Sequence, residues 1–226
     1  MNKLCVHIIT LFPDFFNSPF QSSLLGKAVN QELVKFNIIQ LRDFSVNKHG
    51  QVDDTPYGGG HGMVLMLEPL KRALESIPGN SYKILLSPRG YLWNQKKCVD
   101  TFQHVNQSNS SLTLICGHYE GVDERIVDII DESICIGNYV LSGGEIAALV
   151  MVDSLCRLIP GFMGNAESIQ DESFQNDQYI EYPQYTKPAE FEGTRVPDIL
   201  LSGHHERIKE WRSLQSIAAY KKFRKE

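Results

Sequence analysis

Residues 136–144, Ile-Gly-Asn-Tyr-Val-Leu-Ser-Gly-Gly, run directly into Glu145-Ile-Ala-Ala-Leu-Val-Met-Val-Asp-Ser-Leu-Cys156, and this junction decides the fold. A short apolar run, a glycine-bearing loop and the start of an apolar-periodic helix follow one another within about a dozen residues. A second loop of the same kind, Cys116-Gly-His-Tyr-Glu-Gly-Val-Asp-Glu-Arg125, follows another apolar run, Leu112–Cys116. A third, Leu86-Ser-Pro-Arg-Gly90, follows Tyr82–Leu86. Glycine lets main chain approach a ligand closely because it carries no Cβ. Loops of this type at the ends of neighbouring parallel strands build one crevice, the place where open α/β sheets bind ligands.

The rest of the chain agrees with that plan. Lys3–Ile9, Phe36–Leu41 and Ile134–Ile136 complete a set of short strands rich in Ile, Leu and Val. Between them, helical spacing is expected over Ser22–Asn30, Pro69–Ser76, Asn94–His104, Gly121–Ile130 and Gly144–Leu158, the last closed by Pro160-Gly161. Strands alternating with helices predict a mostly parallel sheet covered on both faces. In Gly144–Leu158 the stripe of Ile146, Leu149, Val150, Val152, Leu155 and Leu158 belongs to a helix buried against the sheet or another subunit.

Residues 161–193 are polar and acidic, contain Pro183 and Pro188, and lack a clear period, as expected of a functional loop or linker. Beyond them Ile208, Trp211, Leu214, Ile217 and Ala218 restore helical spacing. The expected organisation is a body of 1–160, a linker of 161–193 and a helical tail of 194–226.

The 226 residues are 42% hydrophobic and carry a net charge of −5, unremarkable for a globular chain. The mean hides an asymmetry: residues 204–226 hold seven Lys/Arg against three Glu, a net of +4, leaving −9 on residues 1–203. A basic tail fits nucleic-acid contact or a solvated helix equally. The five cysteines (5, 98, 116, 135 and 156) have no C-x-x-C spacing, so neither a zinc site nor a disulfide framework is indicated and the expected compartment is reducing. No apolar run reaches membrane-spanning length. A cytoplasmic protein is expected.

One segment does not fit a known phosphate loop. Asp53-Asp-Thr-Pro-Tyr-Gly-Gly-Gly-His-Gly-Met63 is dense in glycine, but no Gly-Lys-Ser/Thr follows and no strand leads directly into it. It reads either as a flexible surface loop or as a functional one. The strand-end loops themselves lack lysines and an anion-binding glycine loop. Their main-chain groups suit a nucleoside cofactor without phosphates, of which S-adenosylmethionine is the common example.

At this point the chain resembles the bacterial tRNA (guanine-N1)-methyltransferases, the TrmD family of the knotted SPOUT class. The likeness runs in order through Leu11-Phe-Pro13, Arg42-Asp-Phe44, the 53–63 segment, Leu86-Ser-Pro88, Gly117–Arg125, Ile136–Glu145, Asp153–Gly161, Tyr185–Pro188 and Leu200-Leu-Ser-Gly-His204. The resemblance implies an α/β fold with a trefoil knot, a homodimer with active sites at its interface, and methylation of the guanosine immediately 3′ of the anticodon in tRNA. It places the cofactor on Leu86, Ser87, Pro88, Gly117, Tyr119, Glu120, Gly121, Ile136, Gly137, Asn138, Tyr139, Val140, Leu141, Gly143 and Gly144. Asn138 stands where the family has Asp.

The resemblance also implies the catalytic pair. Guanine N1 is protonated at neutral pH and needs a general base, while charge building on O6 calls for a guanidinium. The family's arginine, in the helix before Pro-Gly, falls on Arg157. Its aspartate, just before Ser-Phe, falls on Glu172 within Gln170-Asp171-Glu172-Ser173-Phe174, with Asp171 as the alternative base. Without the resemblance, both acids read as part of a solvated linker, and Arg157 as a cation at a helix C-terminus. Glu120 and Asp123 are weaker base candidates. His61 and His118 read as polar loop residues, since no metal-ligand spacing links the histidines. Lys209, Arg212, Lys221, Lys222, Arg224 and Lys225 are expected to meet phosphates. Two rival readings are a methyltransferase acting on another RNA or a ribose hydroxyl, and a non-catalytic RNA-binding relative that keeps the pocket.

Overall fold

Leu4-Cys-Val-His-Ile-Ile-Thr10 forms strand β1 (Leu4–Thr10), and its period-two alternation sends Val6 and Ile8 into one core layer and Ile9 into the other. The computed structural model describes residues 3–164, 172–174 and 179–223. Further along lie β2 (Val34–Gln40), a two-residue pair β3 (Asp53–Asp54) and β4 (Val64–Leu65), then β5 (Ser81–Leu92), β6 (Ser111–Cys116) and β7 (Glu132–Cys135). Helices α1 (Asn17–Gln21), α2 (Ser23–Asn30), α3 (Leu67–Glu75), α4 (Gln95–Gln107) and α5 (Glu145–Cys156) alternate with them. Two compact units divide at Gly164/Asn165.

In the first unit five strands form a wholly parallel sheet in the order β2-β1-β6-β5-β7. Parallel strands covered on both faces read as near-continuous apolar runs, and that is what makes them legible. Val6, Ile8, Ile84, Leu112 and Leu114 meet Cys98 and Val105 of α4 and Ala148, Met151, Val152 and Leu155 of α5. On the opposite face Ile9, Leu85 and Ile115 meet Leu70, Ala73 and Leu74 of α3. Each fully buried aliphatic contributes about 1.5–3 kcal/mol. The exposed ion pairs, such as Lys71–Glu75 on α3, contribute at most about 1 kcal/mol each. The core sets the fold.

Several expected elements differ. A helix over Gly121–Ile130 is replaced by a single 3-10 stretch, Glu124–Asp128, that buries only Ile126. The reason is upstream: the Asp123 amide donates to the Leu65 carbonyl at 2.9 Å, so few residues remain before β7 begins. β5 is longer than expected. It pairs with β7 at residues 84–86 and again at 91–92, with a register shift between, so Ser87–Gly90 is an excursion from the strand rather than its end. Asn94 caps α4, its side-chain oxygen accepting from the Lys97 amide at 2.9 Å. The short helical turns over 13–21 leave no helical period in the sequence, because Pro13 and Pro19 interrupt the segment.

The second unit contains a hairpin, β8 (Glu190–Phe191) with β9 (Thr194–Arg195), followed by α6 (Asp198–Leu201) and α7 (His205–Phe223). Around α7, Trp211 meets Tyr185 with ring centroids 6.4 Å apart, and the Arg212 guanidinium lies 4.7 Å from the centre of the Tyr182 ring. At an exposed residue such as Arg212 a cation–π contact contributes about 0.5–1 kcal/mol.

All five cysteines are free, with Cys98, Cys116 and Cys156 buried. Burial pushes the Cys98 thiol up to about 11 and Cys156 to about 12, which keeps both protonated and unreactive. A thiol reagent applied to the folded protein at pH 8 should label no more than Cys5 and Cys135. Peptide mapping should find the other three only after denaturation.

Candidate functional site

The Ser87–Gly90 excursion of β5 and the loops after β6 and β7 meet at one place. Residues 87–89, 117–122, 136–137 and 139–144 line a cavity of about 400 Å³, a size suited to a small organic ligand or nucleoside cofactor. Apolar walls come from Leu86, Ile134, Leu141 and Ala147, while main chain and the side chains of Ser87, Tyr119, Glu120 and Ser142 supply the polar groups.

How closely these loops meet explains their glycines. The Gly144 amide donates to the Gly117 carbonyl at 2.9 Å, and the Ala148 amide to the Gly144 carbonyl at 2.8 Å, so α5 starts directly beneath the end of β6. A Cβ on Gly144 would lie 2.6 Å from the Cys116 Cα. Only glycine permits that approach.

The 53–63 segment turns out to be the far end of the β3–β4 hairpin. Its base is sewn to the 117–123 loop by main-chain bonds: Glu120 N–H to Met63 O (3.0 Å), Leu65 N–H to Gly121 O (3.0 Å) and Asp123 N–H to Leu65 O (2.9 Å). The tip, with Tyr57 and Gly58–Gly62, is exposed. The segment is an exposed tip on a base fixed to the pocket rim.

Of the fifteen positions expected to hold a cofactor, fourteen line this cavity; Asn138 does not. The departure at Asn138 therefore falls outside the lining. Arg89 and His118 also line it, although the resemblance assigns neither to the cofactor. Arg89 pairs across the mouth with Glu124, an exposed pair. The His118 ring meets Phe12 edge-on at 5.0 Å and Tyr119 at 4.6 Å, and its buried Nδ1 has no hydrogen-bond partner among the described residues. The signal for His118 is its place between Gly117 and Tyr119, which outweighs its being a loop histidine.

Asp123 is tied to Arg125. Its carboxylate accepts from the Arg125 side chain at 2.6 and 2.9 Å and caps the following turn, and these bonds hold it below the usual carboxylate range. A base working near neutrality needs the opposite shift. Arg157 ends α5, with Nη1 3.7 Å from the Met163 sulfur. Glu172, in the second unit, is half-buried and precedes a turn in which Ser173 Oγ accepts from the Glu181 amide (2.9 Å) and the Phe174 amide donates to the Tyr179 carbonyl (2.9 Å). Asp171, Arg224 and Lys225 lie outside the described residues. Lys209, Lys221 and Lys222 are exposed on α7. Among the described residues no group of three or more His, Cys, Asp or Glu is arranged to hold a metal ion, and no helix is long and apolar enough to cross a membrane.

An open parallel sheet with a crevice of main chain at its strand tips defines an α/β ligand-binding protein. Residues 4–226 match the family model described as tRNA (Guanine-1)-methyltransferase TrmD. The chain is 51% identical over 215 residues to the tRNA (guanine-N(1)-)-methyltransferase of Dictyoglomus turgidum, covering 95% of this chain and 85% of that protein. It is 49% identical to the enzyme of that name from Carboxydothermus hydrogenoformans (94% and 82% covered) and 45% to that from Metamycoplasma arthritidis (98% and 94%). The chain belongs to the TrmD family.

Gly144→Ala should cost about 1–3 kcal/mol of stability in urea unfolding, the price of forcing a methyl group into packed main chain. Gly164→Ala, where a Cβ meets none of the described residues within 4 Å, is the control and should stay within about 0.5 kcal/mol of the parent.

Proposed function

We propose that the chain is a tRNA (guanine-N1)-methyltransferase that uses S-adenosylmethionine and modifies the guanosine immediately 3′ of the anticodon. The observation that carries this reading is the coincidence of family membership with a strand-tip pocket built largely of main chain. That pocket fits the cofactor's chemistry. Its apolar walls suit an adenine face, its carbonyls and amides suit an adenine edge, and Glu120 can accept from ribose hydroxyls. Arg89 is the single Lys or Arg in the lining and is paired with Glu124, so a phosphate-bearing cofactor is served less well. When bound, the cofactor supplies a methyl group on a positively charged sulfur.

The protein's own task is to make guanine N1 a nucleophile. Glu172, or Asp171 in its place, takes the N1 proton as general base. Arg157 offers a guanidinium to the negative charge that builds on O6. The target base has to leave its stack to be reached. Lys209, Lys221 and Lys222 of α7 supply phosphate contacts, which give affinity and salt dependence without sequence readout.

The trefoil knot expected of the class rests on family membership. A homodimer is supported by apolar surface on the pocket unit: Val140 is 89% exposed, and Ile146 and Val150 of α5 are 48% and 43% exposed. Exposed apolar side chains of this kind suit an interface. The 1–160 body, the 161–193 linker carrying the base and the 194–226 tail remain the domain assignment we favour, with the cytoplasm, where tRNA resides, as its location.

Transcripts carrying G or A next to the anticodon discriminate the readings. Methyl recovered as 1-methylguanosine, only from the G transcript, is the expected result; 2′-O-methyl product or donor binding without turnover would overturn it. Arg157→Ala should lower kcat by about 10²–10³-fold with donor affinity kept. Glu172→Gln should abolish turnover, and activity lost only in Asp171→Asn would move the base by one residue. The double variant Lys221→Ala/Lys222→Ala should weaken tRNA binding and reduce the slope of log K against log salt by about 1–2.

A further inference from the structure

At the start of α5 a carboxylate is buried where a helix would be served as well by an exposed one. Glu145 is 6% exposed, and Thr10, at the tip of β1, is 0% exposed. The Thr10 hydroxyl donates to Glu145 Oε1 at 2.7 Å and accepts from the Phe12 amide at 2.9 Å. The other carboxylate oxygen lies against Gly143, where an added Cβ would be 2.4 Å from Oε2 and 2.8 Å from His118 Nδ1. His118 is bridged to Gly143 across the two loops, and its ring rests on Phe12. One carboxylate therefore touches the end of β1 and the 136–144 loop, and through Thr10 it fixes Phe12, on which His118 leans.

Burying a carboxylate is costly unless its oxygens are engaged. Here the first turn of α5 offsets part of that cost, because amide dipoles favour a negative charge at a helix N-terminus. A neutral side chain could cap the helix as well. What the neutral side chain would not do is hold Thr10 and Gly143 at a fixed separation by a short charged hydrogen bond, which is about twice as strong as a neutral one.

We infer that Glu145, through Thr10, is a positioning residue for the cofactor: it fixes the spacing between the 117–121 and 136–144 loops whose main chain receives the methyl donor. The inference rests on the pocket reading above. Neither Glu145 nor Thr10 lines the cavity, so both act through Gly143, His118 and the loops.

The test compares Thr10→Val, which keeps shape and loses the hydroxyl, with Glu145→Gln, which keeps shape and loses the charge, and Thr10→Ser as the conservative rescue. Calorimetric titration with S-adenosylmethionine should give a Kd raised about tenfold in Thr10→Val and Glu145→Gln, the size of one buried charged hydrogen bond, and near the parent value in Thr10→Ser. The KM for tRNA and kcat at saturating donor should stay within about threefold of the parent. A donor Kd within twofold of the parent in both variants overturns the inference. So does an affinity loss that only tracks a lost folded fraction, read by circular dichroism and thermal unfolding on the same samples. A parent chain with no donor affinity would instead remove the pocket reading itself, and this inference with it.

Discussion

The hydrogen bond from the Gly144 amide to the Gly117 carbonyl, 2.9 Å long, joins the end of β6 to the start of α5 and leaves no room for a side chain between them. The cavity follows from that contact. It brings the 117–122 loop and the 136–144 loop side by side, and it sets α5 so that Ala147 and Ala148, the smallest apolar side chains, enter the core first. Larger residues, Met151, Val152 and Leu155, fill the space further from the contact. Packing of this density transmits position because interiors do not compress. The exposed Arg89–Glu124 pair at the mouth cannot do that work, since a pair in high dielectric contributes at most about 1 kcal/mol.

The parts of the fold legible in the sequence are those whose burial is continuous. β1 and β6, buried along nearly their whole length, fall within one residue of their expected bounds, while the partly buried edge strands β2 and β7 fall within two. The long-range stitches are not legible. Two-residue strands such as β3 and β4 carry no period, and the loop that holds β4 meets it main chain to main chain. The same cause hides the loss of helix over 121–130: nothing in Gly-Val-Asp-Glu-Arg-Ile-Val announces that the Asp123 amide is already bonded to Leu65. Side-chain patterns report burial, whereas pairing between loops is recorded only in space.

The candidate site divides along the same line. Its loops can be picked out because glycines cluster after apolar strands, and the resemblance extends them to individual positions, fourteen of which line one cavity. His118 reads in the sequence as a loop polar group, since a lone histidine without ligand spacing is ordinary. Its contacts with Phe12 and Gly143 depend on the packing of β1 against α5. Thr10 and Glu145 are 135 residues apart in sequence, and the helical stripe draws attention only to the apolar side chains that follow Glu145.

The proposed base raises a question of reach. Glutamate extends about 1.5 Å further than aspartate, by one carbon–carbon bond, and on a loose segment that difference would be absorbed by the backbone. The segment after Glu172 is not loose: Ser173 and Phe174 are each hydrogen-bonded to residues 179–181 within the same unit. With its backbone held on one side, a longer side chain must place its carboxylate by rotamer choice, at a cost of up to about 1.5–2 kcal/mol in side-chain entropy. A base within hydrogen-bond reach of its proton contributes about 10²–10⁴-fold to rate, or about 3–5 kcal/mol. The gain in rate outweighs the entropy cost, which favours keeping a carboxylate at this position even when its length has changed. It also favours a turn that limits how far that carboxylate can wander.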